Sequence, residues 1–243
     1  MVSLAEKMAA NLDMSAFGKA EELKKRLWFT VLALIVFRLG TFIPLPGIDP
    51  KILADIFSRN SNGILGMFNM FAGGALERMT IFALNIMPYI SASIILQLGQ
   101  SVVPSLAALK KEGEAGHRKI VHYTKVLTVL ITIIQGYGIA VGLEGMVGSA
   151  GLSAVVMPGF VFKFTTIVSL VGGTMFIVWL GDQITSRGVG NGSSLIITVG
   201  IIANIPTALA QTFELGRVGS MSLWVILLLM VMVLVLIYVI VLV

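Results

Sequence analysis

The sequence contains no cysteine in its 243 residues, which excludes disulfides and thiolate metal sites. Charge is scarce. Only 12% of the residues are Asp, Glu, Lys or Arg, roughly half the share of an average soluble domain. Histidine is confined to His117 and His122; they sit in one charged stretch and its exit, with no carboxylate pattern beside them, and read as solvated side chains rather than ligands. There is no phosphate-cradling loop, no metal constellation, no Ser/His/Asp arrangement and no pair of acids inside an apolar run, so nothing points to an enzyme or a cofactor. A cleavable signal peptide is not expected either. The first apolar run follows about twenty-five mostly polar residues and carries no small-residue cleavage pattern.

Apolar side chains take up the space that charge leaves. Hydrophobic residues make up 57% of the chain and the mean hydropathy is +0.98. The fold class is therefore all-α, a polytopic helical membrane protein.

The stretch 63–100, GILGMFNMFAGGALERMTIFALNIMPYISASIILQLGQ, organises the rest. Its first piece, 64–72, is apolar but less than half the length that crosses a bilayer. It must lie in the interface or be buried as a re-entrant helix. Its second piece, about 75–98, is long enough to span, with Pro88 inside it predicting a kink. Asn85, Ser91, Ser93 and Gln97 make it too polar for a purely lipid-facing helix. Residues alone leave two readings open: a pore or substrate path, or a kinked helix in an inert bundle with its polar groups bonded between helices.

Along the chain, residues 1–26 read as a polar cytoplasmic segment ending in the collar of Glu21, Glu22, Lys24, Lys25 and Arg26. A first span is expected over 27–43, ended by Pro44, with Arg38 snorkelling to the interface. Residues 46–62 read as a short polar loop. After the second span, the run 109–119, LKKEGEAGHRK, reads as a mobile solvated loop. Further spans are expected over 120–141, holding Gln135, and over 160–180, where Gly172 and Gly173 allow a close helix neighbour. Asp182 borders a turn and reads as a cap. Gly188, Gly190 and Gly192 read as a tight turn, with Asn191 capping a fifth span over 193–209. A sixth span, 223–243, is nearly unbroken Leu, Val, Ile and Met and reads as lipid-facing. It ends without a polar flank, which suggests a truncated chain. Lys and Arg cluster on the N-terminal side of the alternating spans, so the N-terminus is expected in the cytoplasm.

The runs FRLGTFIPLPGID, MFNMFAGGALERMTIFALNIMPYISASIILQL, KKEGEAGHRK and GTMFIVWLGDQITSRGVGNGSSLII closely resemble the SecY family, the central subunit of the bacterial Sec protein-translocation channel. That family builds ten spans in two halves of inverted topology. The resemblance covers the first half and one further span: 27–212 as the first channel repeat, 213–243 as a loop and span six, with the second half absent. It implies a bacterial inner-membrane protein that moves unfolded preproteins across the membrane and releases membrane segments sideways into lipid. The alternatives are a small-solute secondary transporter, which should carry intramembrane acids for ion coupling, and a non-conducting scaffold subunit.

The resemblance also implies roles for residues. Gly63, Ile64, Leu65, Gly66, Met67, Phe68, Asn69, Met70, Phe71 and Ala72 match the plug, hinged at Gly73 and Gly74. Ile86, Ile90, Ser193 and Ile197 match pore-ring positions, each pair four apart and so on one helix face. Ser193 departs from the apolar residue the family often places there. Ser91, Ile94 and Gln135 match the lateral gate. Lys110, Lys111, Arg118 and Lys119 match a cytoplasmic loop facing the motor ATPase. Implied partners are small SecE-type and SecG-type subunits, a SecA-type motor, the ribosome, signal peptides with their preproteins, and membrane lipid; no direct nucleic-acid function is implied.

Overall fold

A computed structural model describes residues 21–60, 74–146, 153–206, 209–210, 217 and 223–242. The expected plug 63–72, Gly73 and residues 1–20 lie outside these. The chain forms two compact units, one through Gly200 and one from Ile201 onward. Among the described residues it is mainly helical, with turn segments and isolated bridges between Pro44 and Thr80 and between Ile48 and Val155.

Helix α1 spans Glu21–Gly40. Its acidic first turn suits the positive end of the helix dipole, and i,i+4 pairs join Arg26 to Glu22 at 3.0 Å and Lys25 to Glu21 at 3.9 Å. The expected end at Pro44 is corrected: the helix stops at Gly40. There the Thr41 hydroxyl donates to the Arg38 carbonyl at 2.6 Å and the chain turns toward Thr80. The following segment is also no simple loop. Asp49 Oδ1 accepts from the Lys51 and Ile52 amides and starts helix α2, Pro50–Asn60, which buries Leu53 completely.

The expected second span is overturned most clearly. Residues 75–86 form successive turns, with Met79 and Asn85 at positive φ. Helix α3 begins only at Met87 and runs to Val102. Pro88 therefore sits in its first turn, where a missing amide costs nothing, and not at an interior kink. The bend comes later, at Val103, where α4 (Pro104–Lys111) leaves at 101°. The turn segment packs inward because Phe82 is stacked between Phe37 of α1 and, farther along the chain, Phe176, at 6.0 and 5.9 Å.

The charged run 109–119 is helical, not a mobile loop. After α4 only Glu112 and Gly113 turn, Gly113 at φ +68, before α5 takes over from Glu114 to Glu144. At about 1.5 Å per residue its 31 residues reach roughly 46 Å, more than the hydrocarbon core of about 30 Å. Helix α6, Phe160–Arg187, is 28 residues long. Both are long and apolar enough to cross a membrane, and the bent pair α3–α4 would make a third. Six spans are expected; α1 falls short because much of its length is charged collar, and α7 (Gly192–Ile202) has only 11 residues. Asn191 does cap α7, its Oδ1 accepting from the Ser194 amide at 3.1 Å. In the second unit, α8 (Leu223–Leu242) exposes the side chains described for it.

Gly173 and Gly172 part company. A Cβ on Gly173 would collide with the Ile81 carbonyl, whereas Gly172 faces open space. The close neighbour is the turn segment, not a helix. Gly173→Ala should destabilise the protein by about 1–3 kcal/mol through overpacking against backbone, while Gly172→Ala should be neutral or slightly stabilising. Thermal unfolding of the two purified variants checks this; equal effects would mean that the contact is not native.

Candidate functional site

Apolar and polar surfaces meet where α3, α5, α6 and α7 come together. Ile86, Ile90 and Ile197 join one apolar cluster with Phe37, Phe82, Ile177, Ile184 and Ile196. The Ile90 amide donates to the Ile86 carbonyl at 3.1 Å, so the two side chains share a face. Ile86 is completely buried, whereas Ile90 and Ile197 are partly open. One turn before Ile197, Ser193 leaves the cluster and lines a cavity of about 620 Å³. Tyr89 belongs to both, packing on the cluster and lining the cavity.

Polar residues from several helices line the cavity: Ser93, Gln97 and Gln100 from α3, Lys110 from α4, His117 and Thr124 from α5, Asp182 and Thr185 from α6, and Asn191 at the start of α7. A cavity with polar lining residues thus adjoins a packed apolar cluster within one helical unit. Local geometry explains why these elements can close around it. Gly192 lies so near the Gly181 carbonyl that a Cβ there would collide with it. The Thr185 hydroxyl accepts from the Gly192 amide at 2.9 Å, and Thr30 of α1 accepts from the Val189 amide at 3.0 Å.

The other expected residues are placed as follows. Ser91 is partly buried on α3, while Ile94 and Gln135 are exposed on α3 and α5. None of the three lines the cavity. Gly74 has φ +81, a backbone state natural to glycine. Lys119 pairs with Glu112 at 3.0 Å and Arg118 with Glu114 at 3.7 Å, both at the surface. Lys110 turns to the cavity, and Lys111 ends α4. Arg38 stands 5.3 Å from the centroid of the Phe42 ring, and Arg78 lies 4.5 Å from the same ring.

Asp182 is not a turn cap, which corrects the sequence expectation. Its Oδ2 accepts from Lys125 Nζ at 2.7 Å, joining α6 to α5 across 57 residues of sequence. A second pair at the other end of α5 also escaped notice: Glu144 contacts Lys163 at 3.0 Å and accepts from the Gly159 amide at 2.7 Å. Those two hydrogen bonds hold the Glu144 carboxyl below the usual carboxylate range, so it is ionised at neutral pH. The signal that could have found both pairs is a lysine inside each apolar helix, Lys125 and Lys163, since such charges need partners.

Helices long and apolar enough to cross a membrane, with a partly polar cavity beside an apolar cluster, define the class: a helical membrane protein. The SecY family pattern matches residues 80–243. The Protein translocase subunit SecY of Escherichia coli strain K12 is 56% identical over 214 residues, covering 88% of this chain and 48% of that protein. Its counterpart in Buchnera aphidicola subsp. Acyrthosiphon kondoi is likewise 56% identical over 88% of this chain, covering 60% of that protein. The chain belongs to the SecY family and spans about half the length of most of the curated relatives it matches. Two solved structures share the fold at 18% identity: one described as "The structure of a protein conducting channel", covering 80% of this chain and 38% of that one at a TM-score of 0.51, and "Sec61 in the Canine ribosome-channel complex from the endoplasmic reticulum", with the same coverages and a TM-score of 0.52.

Proposed function

We propose that this chain supplies one wall of a protein-conducting channel in the bacterial inner membrane, through which unfolded preproteins cross and membrane segments leave sideways into lipid. The observation that carries it is the junction of Ile90 and Ile197, in the apolar cluster, with Ser193 and the polar cavity beside it. An apolar constriction resists ions by dewetting yet yields around an extended peptide. Ile86, Ile90, Ser193 and Ile197 form this wall's share of the ring, and 63–72 with the Gly73–Gly74 hinge supplies the plug. Ser91, Ile94 and Gln135 lie on the lateral face. The exposed cations Arg118 and Lys119, with Lys110 and Lys111, face a SecA-type motor or a ribosome. SecE-type and SecG-type subunits complete the assembly. Residues 27–212 act as the first repeat. The chain itself performs no catalysis; a partner supplies the driving energy.

The reading requires one orientation. Reporters fused after Lys119 should be cytoplasmic and those fused after Glu144 external, because α5 crosses once between them. The reverse pattern, or the same side for both, would remove the cavity from the cytoplasm and with it the channel reading.

A further inference from the structure

Between Lys125 on α5 and Asp182 on α6 the sequence carries only two charged residues, Glu144 and Lys163. All four are used in pairs. Lys125 meets Asp182 at 2.7 Å, and Lys163 meets Glu144 at 3.0 Å. On each helix the two charges stand nineteen positions apart, about 29 Å at about 1.5 Å per residue. That matches the hydrocarbon core of a bilayer, about 30 Å. Tyr123 and Trp179 are exposed within a turn of the first pair, and such rings collect at a membrane face. The connection between the two helices is equally poor in charge. Residues 145–162 hold no Asp, Glu, Lys or Arg. Its described part is held in shape. The Val156 amide donates to the Gly47 carbonyl at 3.0 Å, Ile48 and Val155 form a bridge, and the Gly159 amide donates to Glu144 at 2.7 Å. Ala154 and Val155 are buried, whereas Val156, Met157, Phe160 and Val161 are 67–81% exposed.

We infer that the two pairs stand at the two faces of the hydrocarbon core, and that Val156, Met157 and Phe160 rest in the headgroup layer at the Glu144 end, in contact with lipid. Phe160 lies three residues beyond Lys163 along α6, about 4.5 Å. The headgroup layer is about 5–7 Å deep on each side of the core. The tip therefore sits within that layer and short of bulk water. It stays out of the core, because an irregular backbone needs polar partners that hydrocarbon lacks. Charge points to the same level. A lone Lys163 or Glu144 at the boundary would favour water, whereas the pair cancels and lets the apolar tip meet lipid. Contiguous apolar side chains left in the open mark a contact surface, and no unpaired charge of this hairpin draws them outward. The placement needs only the membrane class of the fold. It holds for either orientation of the chain and whatever the channel conducts.

Nitroxide labels on single introduced cysteines test this in the assembled channel in phospholipid vesicles, since the chain has no cysteine of its own. The reading is a ratio: collisions with oxygen, which dissolves in hydrocarbon, over collisions with a water-soluble nickel chelate. Shielding by a neighbouring protein lowers both and largely leaves the ratio. Phe164, Gly172 and Trp179 lie on one exposed stripe of α6, with Gly172 midway between Lys163 and Asp182. The ratio should peak at Gly172 and fall severalfold at Phe164 and Trp179. Met157 and Phe160 should read below Phe164 but severalfold above Arg118, which is exposed on α5 outside the core. A peak away from Gly172 overturns the placement of the pairs. A Met157 ratio equal to that of Arg118 puts the tip in water, and one equal to that of Gly172 puts it in the core. Loss of both collisions at Met157 shows a protein covering it. Each of these overturns the lipid contact. Glu144→Gln frees the Lys163 charge but can still accept from the Gly159 amide. It should lower the Met157 ratio, and Glu144→Gln with Lys163→Gln should restore it. An unchanged ratio in the first variant, or no return in the second, overturns the part given to the pair.

Discussion

Changing Ile90 to Asn in the assembled channel should raise the resting ion leak by on the order of ten- to a hundredfold and relax the selection of signal sequences. An apolar side chain of this size contributes about 1.5–3 kcal/mol to keeping water out of its surroundings. At about 1.4 kcal/mol per tenfold, removing that barrier and offering an amide in its place gives the stated range. Ile90 suits this test better than Ile86. It is partly open at the edge of the cluster, whereas Ile86 is completely buried among Phe37, Phe82 and Ile177. Ile86→Asn would bury an amide and disturb the fold, so a leak from it would be ambiguous. Ile86→Val, costing about 1 kcal/mol of stability, is the matching control and should leave the leak low. Deleting 63–72 should open the same path. Vesicle-reconstituted conductance decides. A leak that stays low in both Ile90→Asn and the deletion returns the isoleucines to plain packing and removes the seal from this face.

Much of the architecture was legible because membrane physics leaves few choices. An unbroken apolar helix over 120–141 or 160–180 has to span, and both appear, lengthened at their polar ends. The Asn191 cap follows from local chemistry and is present as expected. Local reading failed where tertiary contacts override the chain's own preferences. Residues 75–86 have helix-compatible composition, yet Phe82 is drawn into a stack with Phe37 and Phe176, and the Ile81 carbonyl fills the space above Gly173. The backbone turns there, and Pro88 becomes a helix start rather than a kink. Glycine-rich 109–119 looked loose, but Gly116 lies against the Leu109 carbonyl and allows α4 and α5 to pack closely. The Lys125–Asp182 pair was out of reach in a different way. Each residue is explicable alone, and only the antiparallel packing of two long helices brings them within 2.7 Å. At the candidate site, the periodicity of the isoleucines put Ile86 and Ile90 on one face, but no sequence pattern foretold that one would be sealed in and the other left at the edge of the cluster.

Residues 1–243 alone should carry no precursor to a protease-protected state. Gln135 explains much of this. It is exposed on α5 among Ile133, Ile134 and Tyr137, and among the described residues its side chain makes no hydrogen bond. An amide left without a partner in hydrocarbon costs about 2–7 kcal/mol. In the proposed channel Ile90 and Ile197, which belong to one apolar cluster, supply part of the ring, so a peptide passing this chain alone would lack the rest of it. A second set of spans would close the ring and give Gln135 a partner, which agrees with curated relatives about twice as long as this chain. The separated chain should therefore be poorly soluble in mild detergent and inactive in vesicles given motor, ATP and a signal-bearing precursor. Co-expression with a complementary half and the small SecE-type subunit should restore both properties. Changing Gln135 to Leu should recover much of the solubility of the separate chain but none of the transport, because it removes the unsatisfied amide without rebuilding the missing wall. Protease-protected precursor in vesicles holding residues 1–243 alone would mean that this chain closes a path by itself, as a homo-oligomer or otherwise, and the shared-ring mechanism would have to be abandoned.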